Sequence, residues 1–351
     1  MDFSFTPDQD ELRALTRRIL DDTCTPDHLR DVAQTESGTD LQLWSALGAA
    51  GIVGIALPEA AGGGGYGFLE TAIVLEEVAR AAAPVPAFAV TALAGPALGG
   101  RPDLLDGVAS GEVVVTAALH EPVGDPSAPA TAADDGTLTG TKVCVPHGLV
   151  ASRFVVSATD GLYVVERDAS GLEITRQDTT TGVPDAMLVL DRTPAERLGG
   201  PDEVTALLHR GTAAACVMSA GACAAALALT AEYTVSRRQF DKPIASFQAV
   251  SQRAGDAYID TEAVRLTAWQ AAWRLANGMP VEEHLLSAKF WAAEGGWRVA
   301  QAAHHVHGGV GVDRDYPLHR YFLMLKQLEL QLGSAQPSLS RLGKLLADTP
   351  V

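Results

Sequence analysis

Two stretches in the second half of the chain contain residues that can bind an anion. The first holds an arginine and two glutamines among apolar residues: Arg237, Gln239, Phe240, Ile244, Phe247 and Gln248. The second holds a histidine and two glycines: His305, Gly308 and Gly309. Arginine forms charge-assisted hydrogen bonds to oxyanions, and glycine lets the backbone approach a ligand because it has no Cβ atom. The two stretches therefore indicate an anion site, although a surface ion pair and a helix stop remain open as alternatives.

Histidines cluster around the second stretch, which raises the question of a metal site. They are His304, His305, His307 and His319. A structural zinc ion takes four ligands in a tetrahedral array, usually with cysteine among them, and no cysteine lies near these histidines in the sequence. The sequence therefore predicts no metal.

Composition excludes several classes of protein. The chain has 351 residues, of which 47% are apolar, and a formal net charge of −17. Such an acidic chain is unsuited to binding a phosphate backbone, and its length suffices for two or three packed domains. No apolar run was expected to reach the length of a membrane span. The four cysteines (Cys24, Cys144, Cys216 and Cys223) lack CxxC spacing and favour a reduced, cytoplasmic setting.

The first third of the sequence predicts helices. Apolar residues recur at helical spacing over residues 8–22, and Thr6-Pro7 stands just ahead as a cap and a first-turn proline. Two further helices are predicted over 40–50 and 68–82, separated by a short extended piece and a glycine-rich loop. The segment as far as about residue 106 is therefore expected to be helical.

The middle of the chain changes period and predicts strands. Short β-branched runs, separated by Gly, Pro, Asp and Ser, are typical of small antiparallel strands. They cover residues 113–115, 137–145, 154–156, 162–165 and 187–190.

Helical patterns then return and are long. Residues 212–236 are apolar on most faces and predict a buried helix, and three more helices are predicted over 247–277, 281–304 and 316–332. The resulting fold class is α+β, with a helical domain (1–110), a small β domain (111–195) and a C-terminal four-helix bundle (196–351).

Three sequence stretches together resemble the acyl-CoA dehydrogenase family. The first runs from Leu43-Trp44 through Leu57-Pro58-Glu59 to Leu75-Glu76-Glu77, the second is Arg237-Arg238-Gln239-Phe240 with Phe247-Gln248, and the third is His305-Val306-His307-Gly308-Gly309 with Tyr316-Pro317. They occur in the family's order across nearly the whole chain. Each alone is weak, but their combination is highly specific.

This resemblance implies an FAD cofactor held across a subunit boundary. In the family, the arginine matching Arg237 reaches the flavin diphosphate of the neighbouring protomer, and Phe240 and Phe247 would wall that site. The resemblance also makes Gln239, Ile244, Gln248, Gly308 and Gly309 cofactor-binding residues. His305 stands where the family usually has a glutamine, and a histidine can also donate a hydrogen bond.

The catalytic base of the family has no counterpart in this sequence. Oxidation of an acyl thioester requires a base for the α-proton, and the family supplies a glutamate at one of two positions. Those positions correspond to Leu332, ahead of Gly333-Ser334, and to Gly211. Because a positioned base contributes about 10²–10⁴ in rate, leucine and glycine cannot replace it. The sequence predicts no catalytic residue.

The β domain also departs from the family pattern. A Thr-Glu-Pro segment followed by Gly-Ser-Asp usually contacts the isoalloxazine ring, and here the match is His120-Glu121-Pro122 without the second part. A Lys-x-Trp-Ile-Thr/Ser segment is matched from Lys142, with Cys144 for the tryptophan and Pro146 for the hydroxyl residue. The groups that hold the flavin ring are therefore expected to be lost.

This asymmetry resembles the heteromeric acyl-CoA dehydrogenases of actinobacterial steroid side-chain breakdown, in which unlike subunits share each flavin. The hypothesis is that this chain is the base-less subunit, which grips the diphosphate and adenosine half of FAD. Its partner would be a second acyl-CoA dehydrogenase-like subunit that carries the glutamate. The two would form an α2β2 oligomer through the C-terminal bundle. The oligomer would bind an acyl-CoA substrate in lipid or steroid catabolism.

Two alternatives remain open from the sequence. The first is an active homo-oligomer with a relocated base, for which Glu329 is the best candidate because it lies one helical turn before Leu332. Asp256 and Glu262 are weaker, since charged residues on helices usually face solvent. The second alternative is a non-catalytic scaffold that binds neither flavin nor thioester.

Overall fold

The N-terminal part of the computed structural model, which describes residues 4–348, is helical. Its helices are α1 (Pro7–Thr23), α2 (Pro26–Ala33), α3 (Leu41–Ala49), α4 (Phe68–Arg80) and a π-helical segment (Phe88–Ala94) that continues into α5 (Gly95–Ala97). The three predicted helices are confirmed. At the start of α1 the hydroxyl of Thr6 accepts from the backbone N–H of Gln9 at 3.3 Å, while the Gln9 side chain accepts from the N–H of Thr6 at 3.1 Å. This reciprocal pair is the capping box that Thr6-Pro7 signalled.

The two longest helical elements in this part that were not predicted are α2 and the π-helical segment. The short helix α2 falls in a polar stretch, and the π-helical segment follows Pro84 and Pro86, which end the preceding helical pattern. The extended piece expected over residues 51–58 is a series of turns instead.

The middle of the chain forms eight strands in two four-stranded sheets. They are β1 (Val115–Ala118), β2 (Ala132–Asp134), β3 (Thr137–Val145), β4 (Arg153–Ala158), β5 (Gly161–Glu166), β6 (Leu172–Gln177), β7 (Asp185–Pro194) and β8 (Glu196–Gly199). The strand orders are β1-β4-β5-β8 and β2-β3-β7-β6. All five predicted strands have a counterpart, but the first lies at Val115–Ala118 and not at 113–115, and β2, β6 and β8 were not predicted.

The expectation that all strands would be antiparallel is wrong for one pair. Strands β1 and β4 pair in parallel, with Val115 opposite Arg153 and Ala118 opposite Val156. The chain leaves β1 and runs through β2 and β3 in the other sheet before it returns as β4, and a parallel pair needs a crossover of that kind.

The C-terminal part is helical again. Its elements are α6 (Pro201–Ser236), β9 (Arg238–Gln239), β10 (Lys242–Pro243), α7 (Gln248–Ala276), α8 (Glu282–Phe290), a π-helical turn (Trp291–Gly295), α9 (Gly296–His307), α10 (Leu318–Leu330) and α11 (Ala335–Asp348). The predicted helices are confirmed, but α6 begins at Pro201 and not at Thr212. Its first turns are partly exposed and polar, so the start of the apolar run was mistaken for the start of the helix. The polar helix α11 was not predicted.

Helix α6 is long and apolar enough to cross a membrane by length and composition, contrary to the expectation from sequence. Its most apolar window is 61% buried inside the structure, which identifies a core helix. Small residues allow close packing along it. A Cβ atom added at Gly221 would lie 2.1 Å from the carbonyl oxygen of Glu76 in α4, so the backbones of the two helices meet there.

The described chain divides into two compact units. The first comprises residues 4–19, 28–74 and 84–211 and contains both four-stranded sheets, and the second comprises 20–27, 75–83 and 212–348. The core of the second unit is built largely from alanines of α6 and α9 with Leu318, Tyr321 and Leu325 of α10. The predicted α+β architecture of helices, sheets and helices is confirmed, while the domain boundaries near residues 110 and 195 stay a prediction.

Candidate functional site

The first predicted stretch forms a small hairpin at the end of α6. Strands β9 and β10 pair antiparallel, with Gln239 opposite Lys242, and Phe240 and Asp241 form the two-residue turn between them. Both turn residues have positive φ angles, of 50° and 60°. Two successive left-handed residues define a type I′ turn, which normally takes Asn or Gly. A phenylalanine in this conformation is strained, and its ring is turned outward, since Phe240 is 86% exposed.

Arg237 joins α6 to the hairpin and has a fixed backbone with an unengaged side chain. Its N–H donates to the carbonyl of Tyr233 at 2.8 Å, and its carbonyl accepts from the N–H of Ile244 at 2.9 Å. The side chain is exposed and makes no hydrogen bond or ion pair with any residue in 4–348. Its donors are therefore available to an external anion.

The other residues of this stretch lie around Arg237. The rings of Phe240 and Phe247 meet edge to face with centroids 6.2 Å apart. Phe247 is the N-cap residue of α7, and Gln248 begins that helix with its side chain exposed. Gln239 is exposed and its amide donates to the Arg238 carbonyl at 2.8 Å, while Ile244 is half-buried in a 3₁₀ turn. The stretch thus presents an arginine and an aromatic pair at one surface.

The second predicted stretch is the C-terminal end of α9. His305 is exposed on the last turn, and Gly308 caps the helix with φ +59°. A Cβ atom at Gly308 or Gly309 would meet nothing within 4 Å, so no packing inside the described chain accounts for two glycines here. The positive φ angle explains why residue 308 is glycine. Open space for a closely approaching ligand would explain the glycine at both 308 and 309.

Stacked rings bring the two stretches together. Tyr233, one turn before Arg237, stacks on His307, which directly precedes Gly308, with centroids 4.3 Å apart and planes at 23°. The ends of α6 and α9 are therefore neighbours in the second unit. Sequence reasoning missed Tyr233, because a single tyrosine near a helix end gives no signal of its own.

The two expected positions of the catalytic base hold no carboxylate. Leu332 follows α10 in the left-handed conformation, with φ +55°, and Gly211 is buried within α6. Of the fallback candidates, Glu329 forms an ion pair with Lys326 at 2.7 Å, and Glu262 pairs with Arg265 at 2.8 Å. Asp256 is exposed on α7.

A buried lysine, also missed from the sequence, contacts the C-terminal end of α10. Lys289 is 1% exposed and its ammonium donates to the carbonyl oxygen of Leu328, near the end of α10, at 2.7 Å. Burial lowers the pKa of Lys289 to about 8. This bond satisfies one of the carbonyls left open at the end of α10 and fixes the start of the loop.

The middle sheets contain a buried ionic network around Glu121. The Lys142 ammonium donates to Glu121 at 2.7 Å and to the Ser157 hydroxyl at 3.1 Å, and the Glu121 carboxylate also accepts from Thr131 and from the N–H of Ala130. Burial raises the pKa of Glu121, but the hydrogen bonds from Lys142, Thr131 and Ala130 outweigh it and lower this pKa to about 2. Through Lys142 of β3 and Ser157 of β4 this network connects the two four-stranded sheets.

The positions expected to contact a flavin ring are engaged internally. The carbonyl of Pro146 accepts from the Thr116 hydroxyl at 2.6 Å, and the N–H of Cys144 donates to the Gln177 side chain at 2.7 Å. His147 is hydrogen-bonded to Thr39 at 2.9 Å, and burial lowers the pKa of this imidazole to about 4.

The two halves of an FAD molecule fit this chain unequally. A diphosphate needs accessible cationic donors, and an adenosine needs an apolar surface. The exposed Arg237 offers the first, and the Phe240–Phe247 pair offers the second. Gly308 and Gly309 leave space for the ligand to approach the backbone. On the sheet side, proline has neither an N–H nor a hydroxyl for the ring at the matching position. The residues present fit the diphosphate half and do not fit the ring half.

Family models match most of the chain. The C-terminal domain of acyl-CoA dehydrogenases matches residues 199–346, and the N-terminal domain matches residues 6–100. The chain belongs to the acyl-CoA dehydrogenase family, whose members are flavin-dependent oxidoreductases that act on acyl-CoA. The family and the FAD cofactor predicted from the sequence are thereby confirmed.

Similar proteins include an acyl-CoA dehydrogenase and chains of two solved structures that are each named for two proteins. The chain is 40% identical to acyl-CoA dehydrogenase FadE27 of Mycobacterium tuberculosis over 372 aligned positions, which cover all of both chains. It is 40% identical to a chain in the crystal structure of the ChsE4-ChsE5 complex of M. tuberculosis, with a TM-score of 0.94 and 100% of both chains covered. It is also 40% identical to a chain of the Tcur3481-Tcur3483 steroid ACAD G363A variant, with a TM-score of 0.91 and 97% and 98% of the two chains covered.

Proposed function

We propose that this chain is the base-less subunit of a hetero-oligomeric acyl-CoA dehydrogenase and supplies the diphosphate and adenosine half of a shared FAD site. The observation that carries the proposal is the combination of an unengaged Arg237 with the absence of a carboxylate at Leu332 and Gly211. A homo-oligomer of this chain would have arginines to bind the FAD diphosphate but would lack both a catalytic base and a complete binding site for the isoalloxazine ring.

The reaction shows why a base is the deciding group. When bound, FAD would supply a hydride acceptor for the β-carbon of the acyl thioester, and a protein base would have to remove the α-proton. The side chain of Leu332 and the hydrogen of Gly211 cannot accept a proton, so the partner subunit supplies the base in this proposal. The residues of this chain bind and orient the cofactor through Arg237 and the Phe240–Phe247 pair.

The surface next to Arg237 supports a subunit boundary at this place. Large apolar side chains are exposed near the end of α6, in the hairpin and along α7: Val235, Phe240, Tyr258, Ile259 and Leu266. Exposed apolar side chains gathered on neighbouring elements are typical of interaction surfaces. The relatives in the ChsE4-ChsE5 and Tcur3481-Tcur3483 structures are named as pairs of unlike proteins, which favours a second acyl-CoA dehydrogenase-like chain in an α2β2 oligomer. These relatives suggest steroid or lipid thioesters as the substrate class. The proposed location of the complex is the cytoplasm.

Copurification tests the proposal. The tagged chain is expressed alone and together with each acyl-CoA dehydrogenase-like chain of the same genome, beginning with adjacent genes, and flavins are counted per subunit. We expect little FAD in the chain alone, one FAD per pair of unlike subunits in the complex, and acyl-CoA oxidation only by the complex. Robust turnover by the chain alone would refute the proposal in favour of a relocated base. A complex without flavin absorbance would indicate the scaffold instead.

A further inference from the structure

Three rings hold the ends of α6 and α9 together. In addition to the Tyr233–His307 stack, the Tyr316 ring lies 5.2 Å from His307 and 6.3 Å from Tyr233, centroid to centroid. Aromatic pairs at these distances attract each other beyond the effect of their buried area. Together they form one aromatic cluster in the second unit.

His307 uses both of its ring nitrogens in this cluster. Its Nδ1 lies 2.8 Å from the carbonyl oxygen of Ala303, and since a carbonyl only accepts, Nδ1 carries the hydrogen. The Nε2 atom therefore accepts a hydrogen bond from the Tyr316 hydroxyl at 3.1 Å. His307 is 3% exposed, and burial lowers its pKa, which favours the neutral imidazole. Its orientation is thus fixed on both sides.

The residues next to the cluster are held by backbone hydrogen bonds and not by burial. Every residue from Val235 to Lys242 is exposed, so no burial within the described chain holds Arg237 or the hairpin in place. The carbonyl of Tyr233 accepts the N–H of Arg237 at 2.8 Å, and Gly308 directly follows His307. The cluster is therefore the anchor of both predicted cofactor-binding stretches.

We infer that Tyr233, His307 and Tyr316 are positioning residues for the ADP half of the shared FAD site, an inference that rests on the proposed function. None of the three is among the predicted cofactor contacts. They set the distance and angle between Arg237 and the Gly308-Gly309 backbone, so that a diphosphate meets both at once. Fixed geometry of this kind reduces the ordering cost of binding.

The test uses the copurified complex after removal of its flavin. Dissociation constants are measured for FAD by flavin fluorescence and for ADP by competition. Tyr316→Phe removes only the hydrogen bond to His307, and Tyr233→Leu removes the stack on His307 together with the edge contact to Tyr316. We expect each to weaken FAD and ADP by the same factor, about 3- to 10-fold, the equivalent of one hydrogen bond or one aromatic pair. Tyr233→Phe keeps a ring in the stack and should restore both affinities to within about twofold.

Tyr321→Phe is the matched control. Its hydroxyl is also in the second unit, is buried and donates to the carbonyl of Arg80 at 2.7 Å, but it belongs to the core and not to the aromatic cluster. We expect it to lower the Tm of the flavin-free complex without changing either affinity. Unchanged FAD and ADP affinities in both Tyr316→Phe and Tyr233→Leu would overturn the inference and leave the proposed function intact. Failure of the unmodified complex to bind FAD or ADP would overturn both.

Discussion

The Arg238 guanidinium donates a hydrogen bond of 2.6 Å to the carbonyl oxygen of Asp241. This bond closes the turn of the hairpin and occupies the side chain within its own loop. Arg237, the preceding residue, is equally exposed but engages no partner within residues 4–348. Two adjacent arginines therefore differ in role: one stabilises the loop, and the other is available to a ligand.

Arg237→Ala should weaken FAD binding by the copurified complex about 10- to 100-fold, since a charge-assisted hydrogen bond contributes about 1.5–3 kcal/mol. The Kd for FAD, measured by flavin fluorescence, checks this. Arg238→Ala is the control, because it removes an identical charge from the neighbouring position and should change the Kd less. Equal losses in the two variants would mean that general positive charge, and not a specific contact, attracts the cofactor.

The sequence indicated those parts of the candidate site that lie in continuous motifs. Arg237, Phe240 and Gly308 were identified because their residue types are unusual for their surroundings and stand at family spacing. The Tyr233–His307 stack could not be predicted, because it joins two helices that are far apart in the sequence and each ring alone resembles a core residue. The parallel pairing of β1 with β4 escaped prediction for a related reason, since local strand patterns do not contain the order of strands in a sheet.

The strained turn residue Phe240 should separate stability from binding. Phe240→Gly and Phe240→Ala both remove the exposed ring, but only glycine relieves the positive φ angle of 50°. We expect the glycine variant of the isolated chain to be more stable than the alanine variant by about 0.5–1 kcal/mol, measured by urea unfolding. Both variants should weaken FAD binding by the complex to a similar extent. An alanine variant as stable as the glycine variant would show that this backbone conformation carries no strain.

Glu329→Gln should leave kcat of the complex within about twofold of the unmodified value. The carboxylate of Glu329 is committed to Lys326 at 2.7 Å, whereas loss of a true base would reduce the rate by about 10²–10⁴. Steady-state kinetics of the complex measure this. A drop of that size would identify Glu329 as a relocated base and contradict the proposal that the partner subunit supplies the base.

Leu332→Glu provides the converse experiment. It places a carboxylate at the family's position, but the chain alone should remain inactive because Pro146 still lacks a group for the flavin ring. Acyl-CoA oxidation by the isolated Leu332→Glu chain would show that the base was the sole missing element.

The buried carboxyl of Asp185 in β7 should make the stability of the chain depend on pH. Asp185 is 6% exposed, and burial raises its pKa from an ordinary 3.8 to about 7. As the pH rises from about 4 to 7 the unfolded chain loses this proton first, so the side chain increasingly destabilises the folded state. Asp185→Asn cannot ionise, and its advantage in free energy of unfolding should therefore be larger at pH 8 than at pH 5, by up to about 2.6 kcal/mol. Urea unfolding of both proteins at the two pH values measures this difference, with the exposed Asp168→Asn as the control that should not change between them. A pH-independent difference for Asp185→Asn would mean that this carboxyl is ionised in the folded chain, with water or a cation compensating its burial.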